Sequence, residues 1–208
     1  MTIAAMTAQR SNKVTKKEIE IPTELIYEIL NGKPIYYRNY RDVINHEKTL
    51  DDVRTTGTLQ TLILSAVYDE ITPRIKPKGL KCLFNEVGIH ISARNNLSCD
   101  LVVFEKAALA TIPHDNHYYA ISPKIVIEVD TDGDFTDTTF EQYFFDKSKK
   151  LLDFGAEKVI WILTASKTVT VATPDGKWLT QHWDKPIEFL DDETLVLTDI
   201  FHENEIKI

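Results

Sequence analysis

The chain has 208 residues, 43% of them hydrophobic and 27% charged, and its 24 Lys plus Arg against 32 Asp plus Glu give a formal net charge of −8. This composition excludes a chain disordered throughout, a Gly/Pro-rich repeat and, because no run of about 18 apolar residues occurs, a membrane-spanning helix. The acidic balance argues against a surface that binds nucleic acid everywhere, but it leaves a local site open.

Cys82 and Cys99 are the only cysteines and neither lies in a CxxC pair, so neither a disulfide scaffold nor a structural zinc site is expected. The first residues contain no apolar segment long enough for a secretory signal, and a cytoplasmic protein with reduced thiols is expected. Residues 1–20, polar and carrying Lys13, Lys16 and Lys17, read as a mobile tail, and 21–208 as one domain.

In chain order, 23–30 and 33–38 flank Asn31-Gly32, a hairpin signal because both turn positions need positive φ. Leu59, Leu62, Ile63, Ala66, Val67 and Ile71 recur at helical spacing over 57–71, with Pro73 and the basic stretch 74–78 expected to end that helix. Strands are expected at 80–84, 87–92, 98–104 and 124–129, the last two dense in β-branched residues and central in character. Residues 131–137 read as a loop and 138–154 as a second helix, stopped at Gly155 by a left-handed cap. Strands at 157–164, 168–173 and 177–182 follow, with Pro174-Asp175-Gly176 turning the last pair. The order implies an α/β (α+β) chain, a mixed sheet with helices on its faces.

Three charges break this apolar pattern. Asp100 sits inside SCDLVVF and Glu128 inside IVIEVD, where an isolated buried carboxylate costs several kcal/mol unless it is paired or metal-bound. On the second helix Phe140, Phe144, Leu151 and Phe154 share one face, and the position completing that face is Lys147. Each charge alone is more often solvent-facing or snorkelling. Together, two carboxylates on adjacent central strands and a lysine from a covering helix can hold a divalent cation and neutralise charge developing at a phosphoryl group.

Asp100, then Glu128-Val129-Asp130 after a long gap, resembles the PD-(D/E)XK nuclease core. More closely, residues 22–200 resemble the Uma-two family, small bacterial proteins with a restriction-endonuclease-like fold. The resemblance rests on Tyr27-Glu28 with Gly32, Asp100-Leu-Val-Val, Pro123-Lys-Ile-Val-Ile-Glu128-Val, Lys147 eight residues before Gly155, and Gly155-Ala-Glu-Lys-Val-Ile-Trp161. The family's proline before the aspartate is Cys99 here, and Thr58-Leu59-Gln60 stands where a histidine-containing segment is often found. The lysine that follows the glutamate by two in the superfamily is Asp130, with the lysine moved onto the helix as Lys147.

The resemblance implies a restriction-endonuclease-like fold with a mixed central sheet flanked by helices. It implies a Mg²⁺- or Mn²⁺-dependent endonuclease acting on DNA, with Asp100, Glu128 and the Val129 carbonyl as metal ligands. Lys147 would be the catalytic lysine and Glu28 an accessory acid. A homodimer is expected for cutting both strands, with Trp161, Trp178 and Trp183 offering an interface or simply core. The alternative is a catalytically inactive member serving as a nucleic-acid- or protein-binding module.

Competing motifs are weaker. Asp130, Asp132, Asp134 and Glu141 fall on calcium-loop positions, but Phe135 stands where that loop needs glycine. An acidic loop at a helix start explains them, although Asp130 or Asp132 can add to a metal site beside Glu128. His114 and His117 read as surface residues. Arg74, Lys76, Lys78 and Lys81, and Lys147, Lys149 and Lys150, form two basic clusters able to contact phosphates.

Overall fold

The structure, a computed structural model, describes residues 21–113, 115–130, 133–136, 138–191 and 193–207. The expected tail at 1–20, together with His114, Asp132 and Asp137, lies outside the described residues. After a 3₁₀ turn at Thr23–Leu25 come β1 (Ile26–Leu30) and β2 (Lys33–Tyr36), then α1 (Tyr40–Ile44), α2 (Leu50–Arg54) and α3 (Thr58–Ile75). A second 3₁₀ turn at Lys76–Lys78 leads to β3 (Leu80–Ser92), β4 (Asn95–Glu105), α4 (Lys106–Leu109), β5 (Ile125–Val129) and α5 (Phe140–Phe154). The chain continues through β6 (Lys158–Leu163), β7 (Thr168–Ala172), β8 (Trp178–His182), β9 (Ile187–Leu190), β10 (Glu193–Leu195) and α6 (Leu197–Glu203).

An eight-stranded mixed sheet runs in the order β2-β1-β4-β5-β6-β7-β8, with β3 paired to β4, while β9 and β10 form a separate hairpin. β5 and β6 pair in parallel and the other pairs are antiparallel. β4 is the hub, bonded to β3 along most of its length, to β1 at Asn96 and to β5 at Leu101–Val103.

Both sheet faces are covered, so the central strands are apolar on both sides. Leu101, Val103, Ile125 and Ile127 pack with α3 and α6, whereas Val102, Phe104 and Val126 pack with Tyr143 and Leu151 of α5. Side chains two apart on a strand share a face, so Asp100 aligns with Val102 and Glu128 with Val126. Both carboxylates therefore belong to the α5 side.

The Asn31-Gly32 turn forms as expected, with φ of 54° and 76°. Several expectations need correction. β3 is one strand of 13 residues, not two, because Asn85 and Glu86 form a bulge at φ 82° and 51° and pairing resumes beyond it. Pro73 does not end α3, which runs to Ile75 with the proline inside its last turn. Leu59 and Leu62 are exposed, and the buried stripe is Ile63, Ala66, Val67, Ile71 and Ile75. The short helices α1, α2, α4 and α6 and the β9–β10 hairpin carry too few residues to show a period in sequence.

α5 starts at Thr139, whose hydroxyl accepts the Gln142 N–H at 3.2 Å, and ends at Gly155, φ 119°, whose N–H reaches the Leu151 and Leu152 carbonyls. A Cβ at Gly155 would also lie 2.7 Å from Ser122 Oγ. Gly155→Ala should therefore lower the unfolding free energy by about 1–3 kcal/mol through left-handed strain and crowding. Gly176, φ 76° with open space around it, should lose less on the same change; urea titration of the two variants measures both.

Candidate active site

The hairpin, the two central strands and α5 bring Glu28, Asp100, Glu128 and Lys147 into one buried cluster, with residue exposures of 3%, 7%, 1% and 0%. Lys147 Nζ lies 3.1 Å from Glu28 Oε2 and 3.1 Å from Glu128 Oε1. It donates to the Ser98 carbonyl at 2.6 Å and to the Tyr143 hydroxyl at 3.1 Å. The rings of Tyr27, Tyr143 and Trp161 stand 5.6–5.8 Å from the ammonium, where their π faces also favour a cation. Trp161 is fixed in turn by its Nε1–H donating to Ser148 Oγ at 2.8 Å.

Glu28 is buried beside its sequence neighbour Tyr27 because β1 carries a register shift against β2 between Ile26 and Glu28, which breaks the strand's alternation. Its Oε2 also accepts the Ser98 N–H at 3.1 Å. Asp100 Oδ2 accepts the Val129 N–H at 2.8 Å, which ties the third carboxylate to β5 next to Glu128. Glu28 Oε1 and Glu128 Oε1 are buried and accept no hydrogen bond, so the Lys147 contact at Glu128 Oε1 is a charge contact.

Burial pushes the Glu128 carboxyl up to about 8; Lys147 pulls it down, and Asp100 and Glu28 push it further up. For Lys147, burial opposes the charge, but Glu128 and Glu28 outweigh it and hold the ammonium well above its ordinary range. Burial likewise raises the Tyr27, Tyr143 and Cys99 groups, so all three stay protonated near neutrality.

Not every acid read as part of the cluster reaches it. Asp130 adopts φ 52° and spends its carboxylate on Thr164, accepting from the backbone N–H at 2.8 Å and the hydroxyl at 2.6 Å. Asp134 faces Arg41 at 3.4 Å and the Thr136 N–H at 2.9 Å. The basic cluster at 147–150 loses its centre, since Lys147 is buried and Lys149 pairs with Asp153 at 3.3 Å. In the other cluster Arg74 pairs with Glu70 and Lys78 with Glu193. His117 is a surface residue, its side chain 88% exposed beside Asp115. Trp161 and Trp183 are core, and Trp178 is half-buried.

The segment Gly133–Thr136 forms a strap tied to the hairpin and packed against Tyr143. Gly133 bridges to Tyr37, the Asp134 N–H donates to the Tyr36 carbonyl at 2.8 Å, and Arg41 also donates to Thr136 at 3.0 Å. Phe135 lies 4.7 Å, ring to ring, from Tyr143. Beside it opens a pocket of about 240 Å³ lined in part by Tyr36, Tyr40, Gln142 and Asp146.

Tyr143 and Tyr27 are the residues that inspection of charges passed over. Tyr143 stands one helical turn before Lys147, the i,i+4 position where side chains meet, and that spacing is the signal that finds it.

As donors the carboxylates suit a hard divalent cation, and two buried oxygens lack hydrogen bonds. Among the described residues, however, no three His, Cys, Asp or Glu side chains are gathered closely enough to hold a metal ion; the ammonium stands between Glu28 and Glu128.

No known family matches the sequence in a scan, and no curated protein matches it. A solved structure does: "a putative nuclease belonging to DUF820 from Anabaena variabilis", with a TM-score of 0.64 at 17% identity over 88% of this chain and 93% of that one. The chain thus shares that protein's fold, here a mixed eight-stranded sheet flanked by helices. Among the described residues no helix is long and apolar enough to cross a membrane.

A carboxyl with a raised folded pKa holds its proton more tightly when native. Its stabilising contribution is complete below the unfolded value and is lost as pH rises toward the folded one. For Glu128 that window runs from about 4.5 to about 8. In chelator, the melting temperature should fall across that window, and Glu128→Gln should flatten the slope; an unchanged slope in a thermal-unfolding series would show that Glu128 is not the titrating group.

Proposed function

We propose that the chain is a divalent-metal-dependent endonuclease that hydrolyses phosphodiester bonds of DNA. The observation that carries this reading is the convergence of Glu128 from β5, Asp100 from β4 and Lys147 from α5 in one buried cluster. It is supported by a fold shared with the DUF820 protein.

Asp100, Glu128 and the Val129 carbonyl are the proposed ligands of a Mg²⁺ or Mn²⁺ ion. Such an ion, when bound, would supply a water of lowered pKa and a positive charge for the phosphoryl oxygens. Lys147, held charged well beyond neutrality, offsets the charge that develops at phosphorus. Glu28 orients it through the 3.1 Å contact, while Tyr143 and the Ser98 carbonyl fix the remaining N–H bonds. In the hydrolysis one P–O ester bond is replaced by a P–O bond from water, and the leaving oxygen takes a proton. A phosphodiester reaches these groups only when the strap Gly133–Thr136 withdraws, because Phe135 covers Tyr143. A homodimer in the cytoplasm, one site per strand, completes the reading.

The full burial of Glu28, Glu128 and Lys147 favours a second reading, a catalytically inactive member that keeps the cluster as a structural ion network and serves as a nucleic-acid- or protein-binding module.

Incubating supercoiled plasmid with the protein and Mg²⁺ or Mn²⁺ separates the two. Nicking that chelator stops and that Asp100→Ala, Glu128→Ala and Lys147→Ala each reduce by about 100-fold or more supports the nuclease. An absence of cleavage by folded wild type with either ion, or equal cleavage by the variants, leaves the binding-module reading.

A further inference from the structure

We propose that the pocket of about 240 Å³ beside Tyr143 takes one nucleobase that bears an amino group and has left its stack. The inference deepens the nuclease reading above and rests on it for the nature of the polymer. The pocket opens between the β1–β2 hairpin and α5 and is lined in part by Tyr143, whose hydroxyl accepts the Lys147 Nζ–H at 3.1 Å. An occupant therefore sits one side chain away from the buried cluster.

One wall suits a flat ring. Tyr36 stacks on Tyr40, with ring centroids 4.7 Å apart and planes 28° from parallel, and Arg41 lies over the Tyr40 ring at 4.7 Å. Tyr40 is buried within this stack, whereas Tyr36 is half-buried and lines the pocket. A heterocycle laid on Tyr36 continues the stack, and Leu30 and Pro34 add apolar contact. The opposite wall is polar. Asp146 accepts the Asn31 Nδ2–H at 3.3 Å and the Gln142 Nε2–H at 2.9 Å. A carboxylate has lone pairs beyond these two bonds. It repels a phosphate and accepts an amino group such as that of cytosine, so the pocket fits the base and not the backbone. Lys33, exposed at the pocket and in no ion pair among the described residues, is the cation placed for the adjoining phosphate. A base enters only after unstacking, which costs least in a single strand.

The test is fluorescence anisotropy of labelled short oligonucleotides with the full chain at low salt in chelator, where no cleavage intervenes. A single strand of mixed sequence should bind at least about tenfold more tightly than its duplex or an abasic strand of equal length. Tyr36→Ala should lose about tenfold in single-strand affinity, and Tyr36→Phe, which keeps the ring, should not. Oligo-dC should bind more tightly than oligo-dT, and Asp146→Ala should abolish that difference. If Tyr36→Ala loses the native circular dichroism, Asp146→Ala carries the test, since it truncates a half-buried residue on the outer part of α5. Equal binding of single, abasic and duplex strands, no binding of any, or a dC preference that survives Asp146→Ala overturns the pocket; plasmid nicking with Mg²⁺ or Mn²⁺ then leaves the nuclease reading standing. Base-dependent binding without cleavage by either ion keeps the pocket and overturns the nuclease.

Discussion

The ammonium of Lys147, wholly buried between Glu28 and Glu128, is the interaction around which the α5 side of the molecule is arranged. Removing such a charge from water costs several kcal/mol, and the cost is offset only where partners of opposite charge and hydrogen-bond acceptors stand ready. Those partners come from four separate elements: Glu28 from β1, the Ser98 carbonyl from β4, Glu128 from β5 and Tyr143 from α5 itself. None is close to another of these elements in sequence, so the cluster exists only once the sheet order β1-β4-β5 is in place and α5 lies across it.

Local chemistry serves that geometry at its ends. The Asn31-Gly32 turn pairs Leu30 with Lys33, an irregularity between Ile26 and Glu28 re-aims the far end of β1, and the Asn95 side chain accepts the Asn31 N–H at 2.8 Å to lock the hairpin onto β4. At the far end of α5, Gly155 turns the chain so that β6 enters parallel to β5, with Trp161 paired in register with Glu128. Trp161 then forms one wall of the aromatic surround of Lys147. The Gly155 cap and the position of the ion cluster are thus linked through the placement of one tryptophan.

Where the chain obeys a simple period, the sequence was a sufficient guide. The apolar density of 98–104 and 124–129 marked the central strands, and Asp100, Glu128 and Lys147 stood out because each broke a pattern that otherwise demanded burial. Glu28 breaks no apolar pattern in sequence, and its place beside Lys147 depends on β1 pairing with β4, a contact between residues 67 positions apart at Ile29 and Asn96. The β3 bulge was illegible for a different reason, since Asn85 and Glu86 at positive φ look in sequence like a turn that ends a strand. Leu59 and Leu62 fit a helical stripe, yet both are exposed, and the face of α3 that packs is the one carrying Ile63, Ala66, Val67, Ile71 and Ile75. Asp130 and Asp134 look like metal ligands by type, and only their partners, Thr164 and Arg41, show that their oxygens are committed to holding the chain.

Those commitments change the meaning of the −8 net charge. Of the acids clustered in sequence around Glu128, Asp130 and Asp134 secure the backbone that leaves the cluster, while Asp100, Glu128 and, from the other end of the chain, Glu28 supply its negative charge. The same closure that seals these three from water sharpens both effects of burial. It raises the Glu128 carboxyl to about 8 and so favours its neutral form, and it strengthens the attraction between the Lys147 ammonium and its acids, because the competing solvent is absent. A site built in this way responds to one positive charge more than to any single side chain. Lys147 provides that charge within the chain itself, and Phe135, packed against Tyr143, extends the aromatic surround outward to the segment Gly133–Thr136.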